Sequence, residues 1–172
     1  AITLLHQMGV SVTMLTGDNE RAAQMVARQV GITDVVAGVL PNQKAEKIAS
    51  LKAAGGCVGM VGDGINDAPA LASANVSFAI GAGADIALDT ADVVLVRSSL
   101  MGLVNALSLS RATVSKIRQN LFFAFIYNIL GLPLAACGLL NPIVAGAAMA
   151  MSSVSVVSNS LLLNRWRPQS RA

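Results

Sequence analysis

Short apolar runs alternate with amphipathic stretches through the first hundred residues, the pattern of strands joined by crossover helices. The runs predict strands near Val10–Leu15, Val35–Ala37, Cys57–Val61, Val76–Ile80 and Val93–Val96. Helices fall between them, notably Glu20–Val30 and Gln43–Ala54, each followed by a glycine able to end a helix. The expectation is an α/β domain with a parallel sheet and its active groups at the carboxyl ends of the strands. A helical segment of about Leu100–Gln119 leads out of this domain.

Two apolar segments follow, Leu121–Leu140 and Ile143–Leu163, of 20 and 21 residues. At about 1.5 Å of helical rise per residue, each can cross a hydrocarbon core of about 30 Å. Asn141-Pro142 separates them as a turn. The domain plan is therefore a sheet domain over 1–98, a linking helix over 99–120, a membrane hairpin over 121–164 and a tail over 165–172.

Charge sharpens this division. Only 12% of the 172 residues are charged and 54% are apolar, well below the roughly 25% charge of a soluble domain. All nine acidic residues lie between Asp18 and Asp92, and Leu121–Asn164 contains no Asp, Glu, Lys, Arg or His. Arg111, Lys116, Arg118, Arg165, Arg167 and Arg171 flank the apolar stretch, and none lies in its turn. The positive-inside rule then places the sheet domain and both ends of the hairpin in the cytoplasm of an integral membrane protein. Trp166, between two arginines, reads as an interfacial anchor. With aromatics at 3% there is no stacking platform, and no nucleic-acid partner is expected. Cys57 and Cys137 form no CxxC or Cys/His cluster: Cys57 reads as a core residue and Cys137 as one without a partner. The chain starts at Ala1 inside a helical pattern, so it is expected to continue a longer polypeptide.

Three motifs sit where strands should end. In Leu15-Thr16-Gly17-Asp18-Asn19 a hydroxyl and backbone N–H groups at a helix start could hold a phosphate oxygen, although the same residues form an ordinary turn and cap. In Val61-Gly62-Asp63-Gly64-Ile65-Asn66-Asp67-Ala68-Pro69 an aspartate flanked by glycines follows an apolar strand, and Asn66 and Asp67 could cap the next helix. Such oxygen donors suit magnesium. Lys44 opens a helix, either as a solvated side chain or as a charge that neutralises a phosphoryl group.

Taken together, TGDN, LPNQK and MVGDGINDAPALASANVSFAIGAGADIA resemble the phosphorylation domain of P-type ATPases, which has the haloacid dehalogenase-like fold. The resemblance implies that Thr16, Gly17 and Asp18 contact the phosphate, Lys44 steadies the phosphoryl group and Asp63 ligates Mg2+. Asn66 and Asp67 would complete that site. The family's Asp-Lys-Thr-Gly-Thr nucleophile motif does not occur in this chain. An incomplete domain, inactive alone and dependent on a preceding part of the same polypeptide that binds ATP, is therefore expected.

In the apolar half, Tyr127-Asn128 lies in the first span and Met149-Ala150-Met151-Ser152-Ser153 in the second. Polar groups at membrane depth mark candidate ion paths. Met149 and Ser153 share a helix face, and a thioether favours Cu(I) over harder divalent ions. Methionine and serine also serve simply as packing residues, as Gly131 and Gly146 do. A Tyr-Asn pair followed by Met-x-x-Ser-Ser is similar to the copper branch of the heavy-metal ATPases. By that similarity Tyr127, Asn128, Met149 and Ser153 would carry Cu(I), in a copper exporter of a bacterial inner membrane, with lipid and a copper chaperone as partners. The branch's Cys-Pro-Cys pair is not in this chain. A pump for Ag(I) or Zn(II), a non-catalytic membrane module and a soluble phosphatase are the alternatives, the last opposed by the charge-free hairpin.

Overall fold

The computed structural model describes residues 1–62, 67–81, 91–138 and 141–168. The chain divides into two compact units, Ala1–Val104 and Asn105–Ala172.

In the first unit the order is α1 (Ile2–Gln7), β1 (Thr13–Leu15), α2 (Glu20–Val30), β2 (Asp34–Val36), α3 (Pro41–Ala53), β3 (Gly59–Gly62), α4 (Ala68–Ser73), β4 (Val76–Ile80) and β5 (Val93–Leu95). Every described strand pairing is parallel, as the alternation of strands and helices requires. Hydrogen bonding divides the strands between two sheets, β1-β2 and β3-β4-β5. Met14 is opposite Val35 in the first, and in the second Val61 is opposite Phe78 and Ala79 opposite Val94.

Local chemistry explains the helix limits. Asn19 caps α2, its Oδ1 accepting from the Ala22 N–H at 2.9 Å, and Gly31 ends the helix at φ 80°. Pro41 occupies the first turn of α3, where a missing N–H costs nothing, and the Gln43 side chain accepts from the Leu40 N–H at 3.0 Å. Helix α3 thus begins two residues earlier than the apolar pattern indicates. The core is built from small and branched residues: Ala23 and Ala27 one turn apart on α2, Ile48 on α3, Ala70 and Leu71 on α4, Phe78 and Ala79 on β4, and Leu95 on β5. Burying a residue such as Leu71 stabilises the fold by about 1.5–3 kcal/mol.

Cys57 is exposed, contrary to its expected place in a buried strand. Pairing of β3 with β4 starts at Gly59 opposite Val76, and the preceding Val58 N–H is taken by the Asn75 side chain at 2.9 Å. Cys57 therefore lies outside the ladder.

The linking helix and the first span are one continuous helix, α5 (Leu100–Ala136), with Pro133 inside it. No glycine or proline interrupts the run between Gly102 and Gly131, so the helix has no local reason to stop at residue 120. Gly102, in its first turn, lets Leu95 pack close, with an added Cβ meeting Leu95 Cδ2 at 3.5 Å. The end of the expected span at Leu140 lies outside the described residues. Asn141 caps α6 (Pro142–Leu161), accepting from the Ile143 N–H at 2.9 Å, and a 3-10 turn, Leu162–Arg165, follows. Both α5 and the Pro142–Arg165 helix are long and apolar enough to cross a membrane. Large apolar side chains such as Phe122, Ile129, Leu132, Ile143 and Val154 stand exposed along them, as lipid or neighbouring helices would require.

Candidate functional site

The carboxyl ends of β1 and β3 carry the charged residues of the first unit's site. Beyond β1, Thr16 Oγ1 donates to Asp18 Oδ2 at 3.0 Å and accepts from the Asp18 N–H at 3.1 Å. The loop before α3 is tied to this turn: the Gly38 N–H donates to Asp18 O at 2.8 Å and the Val39 N–H to Thr16 O at 3.1 Å. Gly17 leaves the Val39 carbonyl room, since a Cβ there would sit 3.4 Å from it. The Thr-Gly-Asp turn and the start of α3 are thereby one construction.

From α3, Lys44 Nζ reaches Asp67 Oδ1 at 2.7 Å, with side chains 17% and 13% exposed. Asp67 is at the cap position of α4 yet makes no side-chain capping bond. Its carboxylate turns to Lys44 instead, so its expected capping role is not the one it fills. The end of β3 closes on the same group: a Cβ on Gly62 would lie 2.9 Å from Asp67 Cβ and 3.1 Å from its Oδ2. A glycine is needed for this approach. Asp63 and Asn66, the other expected residues of the site, lie outside the described residues.

The structure thus joins Thr16, Gly17 and Asp18 through the Gly38-Val39 loop, and joins Lys44 with Asp67. Carboxylate oxygens with no thiol or imidazole among them form a hard donor set, which fits Mg2+ and disfavours a soft metal. A concavity of about 500 Å3 lined by His6, Ser11, Thr13 and Asp34 opens at the other ends of β1 and β2 and contains none of these residues.

Between β4 and β5, the Asp92 carboxylate accepts from both the Ser77 N–H and the Ser77 hydroxyl at 2.8 Å, while the Asp92 N–H donates to Ser77 Oγ at 3.0 Å. The backbone bond, then the hydroxyl bond, holds the carboxyl below its usual range against a smaller opposing effect of desolvation. This clasp, unforeseen from sequence, ties the strand ends together.

In the second unit, Asn128 Nδ2 donates to Ala124 O at 2.8 Å and Ser153 Oγ to Met149 O at 3.2 Å. Each side chain donates to a carbonyl on the preceding turn of its own helix, which suits an apolar setting. The Met149 side chain is 72% exposed, and Tyr127 is half-buried. A further polar network was missed in the apolar sequence. Lys116 Nζ donates to Gln119 Oε1 at 3.1 Å and to Asn159 Oδ1 at 2.8 Å. Asn159 Nδ2 donates to Asn120 Oδ1 and Asn120 Nδ2 to Ser160 Oγ, each at 2.8 Å. Asparagine inside a charge-free run was the available signal.

Residues 1–75 match the haloacid dehalogenase-like hydrolase family. A probable copper-importing P-type ATPase A from Enterococcus hirae is 59% identical over 167 residues, covering 96% of this chain and 23% of its own length. A copper-exporting P-type ATPase from Staphylococcus aureus is 54% identical, with 99% of this chain and 21% of the relative covered. The crystal structure of a zinc-transporting PIB-type ATPase in the E2.Pi state superposes with a TM-score of 0.86 at 40% identity, over 94% of this chain and 26% of that one. The chain therefore spans about a quarter of the length of these relatives. That degree of identity runs through both its sheet unit and its helical hairpin, so the chain is similar to P-type ATPases over nearly its whole length.

Proposed function

We propose that this chain forms the C-terminal part of an ATP-driven Cu(I) export pump that works through an aspartyl phosphate formed on a residue outside it. The observation that carries the ion is Met149 on the face of Ser153 in an apolar hairpin with no carboxylate or imidazole. A thioether and neutral oxygens match a soft monovalent cation, whose charge needs little compensation. The relatives include both a probable copper importer and a copper exporter, and the proposed direction is export.

In this reading the Thr16 hydroxyl and the backbone N–H groups around Gly17 and Asp18 bind phosphoryl oxygens. Lys44 opposes their negative charge, and Asp67 holds its ammonium at 2.7 Å so that it need not reorganise during the reaction. Asp63 and Asp67, with Asn66, would hold Mg2+, which when bound supplies positive charge to the phosphoryl oxygens. Tyr127, Asn128, Met149 and Ser153 pass the transported ion. The preceding part of the polypeptide supplies the nucleophile and the ATP site, so the 172-residue chain alone does not turn over ATP. Lipid surrounds α5 and α6, both ends face the cytoplasm of a bacterial inner membrane, and a copper chaperone delivers the ion.

Zn(II) transport is the second reading, favoured by the fold match to a zinc-transporting ATPase. The test is ATPase activity of the complete polypeptide in lipid, with Cu(I), Ag(I) and Zn(II) titrated separately. Stimulation by Cu(I) supports the proposal; stimulation by Zn(II) alone replaces it.

A further inference from the structure

We infer that Lys116, Asn120, Asn159 and Ser160 form a register lock between α5 and α6 that positions the ion-path residues of the two spans. Asn159 is 9% exposed, a buried amide in an otherwise apolar helix. Such a group is costly unless paired, and here both ends are used: Oδ1 takes the Lys116 ammonium and Nδ2 gives to Asn120. Asn120 is gripped in turn by two consecutive residues of α6, accepting from Asn159 and donating to Ser160. Neighbouring positions on a helix point about 100° apart, so a grip on both fixes the rotation of α6 as well as its height.

A slide of α6 by one turn would bring Ser155 and Val156, or Leu163 and Asn164, to that height. Neither pair reproduces an amide followed by a hydroxyl, so Lys116 and Asn120 would lose the partners they have on α6 and the buried Asn159 would lose both of its own. A single buried asparagine fixes the register of coiled coils in the same way.

Helical phase links this lock to the ion path. Ser160 follows Ser153 by seven residues and Met149 by eleven, about two and three turns, so the three lie on one stripe of α6. Asn120 precedes Tyr127 by seven, on one stripe of α5. Bonding Asn120 to Ser160 therefore sets the azimuth of the stripes that bear Tyr127 on one helix and Met149 and Ser153 on the other. The four residues act as positioning residues, at about 10 Å or more along the helices from the groups they align.

This inference rests on the Cu(I) pump reading. The complete polypeptide is reconstituted in lipid, unaltered and as Asn120→Leu, Asn159→Leu, the double variant, Asn159→Asp and Ser160→Ala. Three quantities are measured: the Cu(I) concentration giving half-maximal ATPase, kcat, and phosphorylation by inorganic phosphate without Cu(I). Each Leu variant is expected to raise the half-activating Cu(I) concentration about three- to tenfold, as loss of interhelical hydrogen bonds in a membrane would. The double variant should be no worse than the more affected single one, and phosphorylation by phosphate should stay unchanged. Asn159→Asp keeps the acceptor for Lys116 but loses the donor to Asn120, so its rise should be smaller than that of Asn159→Leu. Should the Leu variants fail to fold, Ser160→Ala, which removes one acceptor, carries the test with about a twofold rise. Unshifted Cu(I) dependence in the folded variants, with Cu(I) activation intact in the unaltered pump, overturns the lock alone. An unaltered protein that Cu(I) does not activate overturns the ion assignment and the lock with it.

Discussion

Lys44 Nζ and Asp67 Oδ1 meet at 2.7 Å across 23 residues of sequence, joining the first turns of α3 and α4 at the sheet's carboxyl edge. The pair is mostly shielded, so each partner depends on the other: removing one leaves a charge poorly compensated. Lys44→Ala is expected to lower the rate of phosphoenzyme formation in the complete pump by about 10²-fold. Asp67→Asn should lower it as well, because the lysine is no longer held by a charge and a carboxylate proposed to hold Mg2+ is lost. Each single change should cost about 1.5–3 kcal/mol of stability, with the double variant costing less than their sum. Additive losses in chemical denaturation would show that the two side chains are not coupled.

Gly62 supplies an independent route to the same pair. A methyl group there would press on Asp67 Cβ at 2.9 Å, closer than carbon atoms tolerate. Gly62→Ala should therefore displace Asp67, reproduce much of the Asp67→Asn loss of phosphorylation and cost about 1–3 kcal/mol by overpacking. Activity measured beside a melting curve checks it: full phosphorylation in this variant would mean that Asp67 can move without consequence.

Where local pattern governs, the sequence was legible. Helix α2, between its Asn19 cap and Gly31, and strand β4, Val76–Ile80, have the predicted limits. Strand β1 starts at Thr13 rather than Val10, because its partner β2 is only three residues long and pairs Thr13 with Asp34. Hydropathy alone cannot reveal such a limit, since ladder length belongs to two strands at once. Long-range pairs were equally hidden: the turn of Asp67 toward Lys44, the Ser77–Asp92 clasp and the Asn120–Asn159 bond join residues 23, 15 and 39 apart. Motif spacing pointed to Thr16, Lys44 and Asp67 individually, while their joining through Gly38, Val39 and Gly62 needed coordinates.

Acid should reveal the Ser77–Asp92 clasp. Hydrogen bonds from the Ser77 N–H and hydroxyl lower the Asp92 pKa from 3.8. A carboxyl depressed by folding adds stability that is complete above its unfolded pKa and is lost as pH falls through the folded value. The contribution of Asp92 should thus be constant at neutral pH and fade only below about pH 4. Ser77→Ala, which removes the hydroxyl while leaving the backbone bond, should destabilise the chain above that window and flatten the acid limb of its thermal midpoint. Parallel curves for the two proteins from pH 2.5 to 6 would mean that the hydroxyl does not bias Asp92.

Met149 gives the sharpest test of the ion. Its side chain is exposed on α6 in this chain, while Ser153 is bonded back to the Met149 carbonyl. Met149→Leu keeps volume and hydrophobicity, a swap that costs under about 1.5 kcal/mol in packing, but it removes the sulfur. If the thioether serves only to pack, half-activating Cu(I) should be unchanged. If it is a ligand, that concentration should rise by about tenfold or more, and Ag(I) activation should shift in parallel because both ions prefer sulfur. Phosphorylation by inorganic phosphate in the absence of Cu(I) should be unaffected, since Lys44 and Asp67 remain. Ser153→Ala completes the comparison: it removes a hydroxyl already satisfied by its own helix, so its effect on Cu(I) activation should be smaller than that of Met149→Leu. The reverse order would make oxygen rather than sulfur the main ligand from α6, and would move the assignment toward a harder ion.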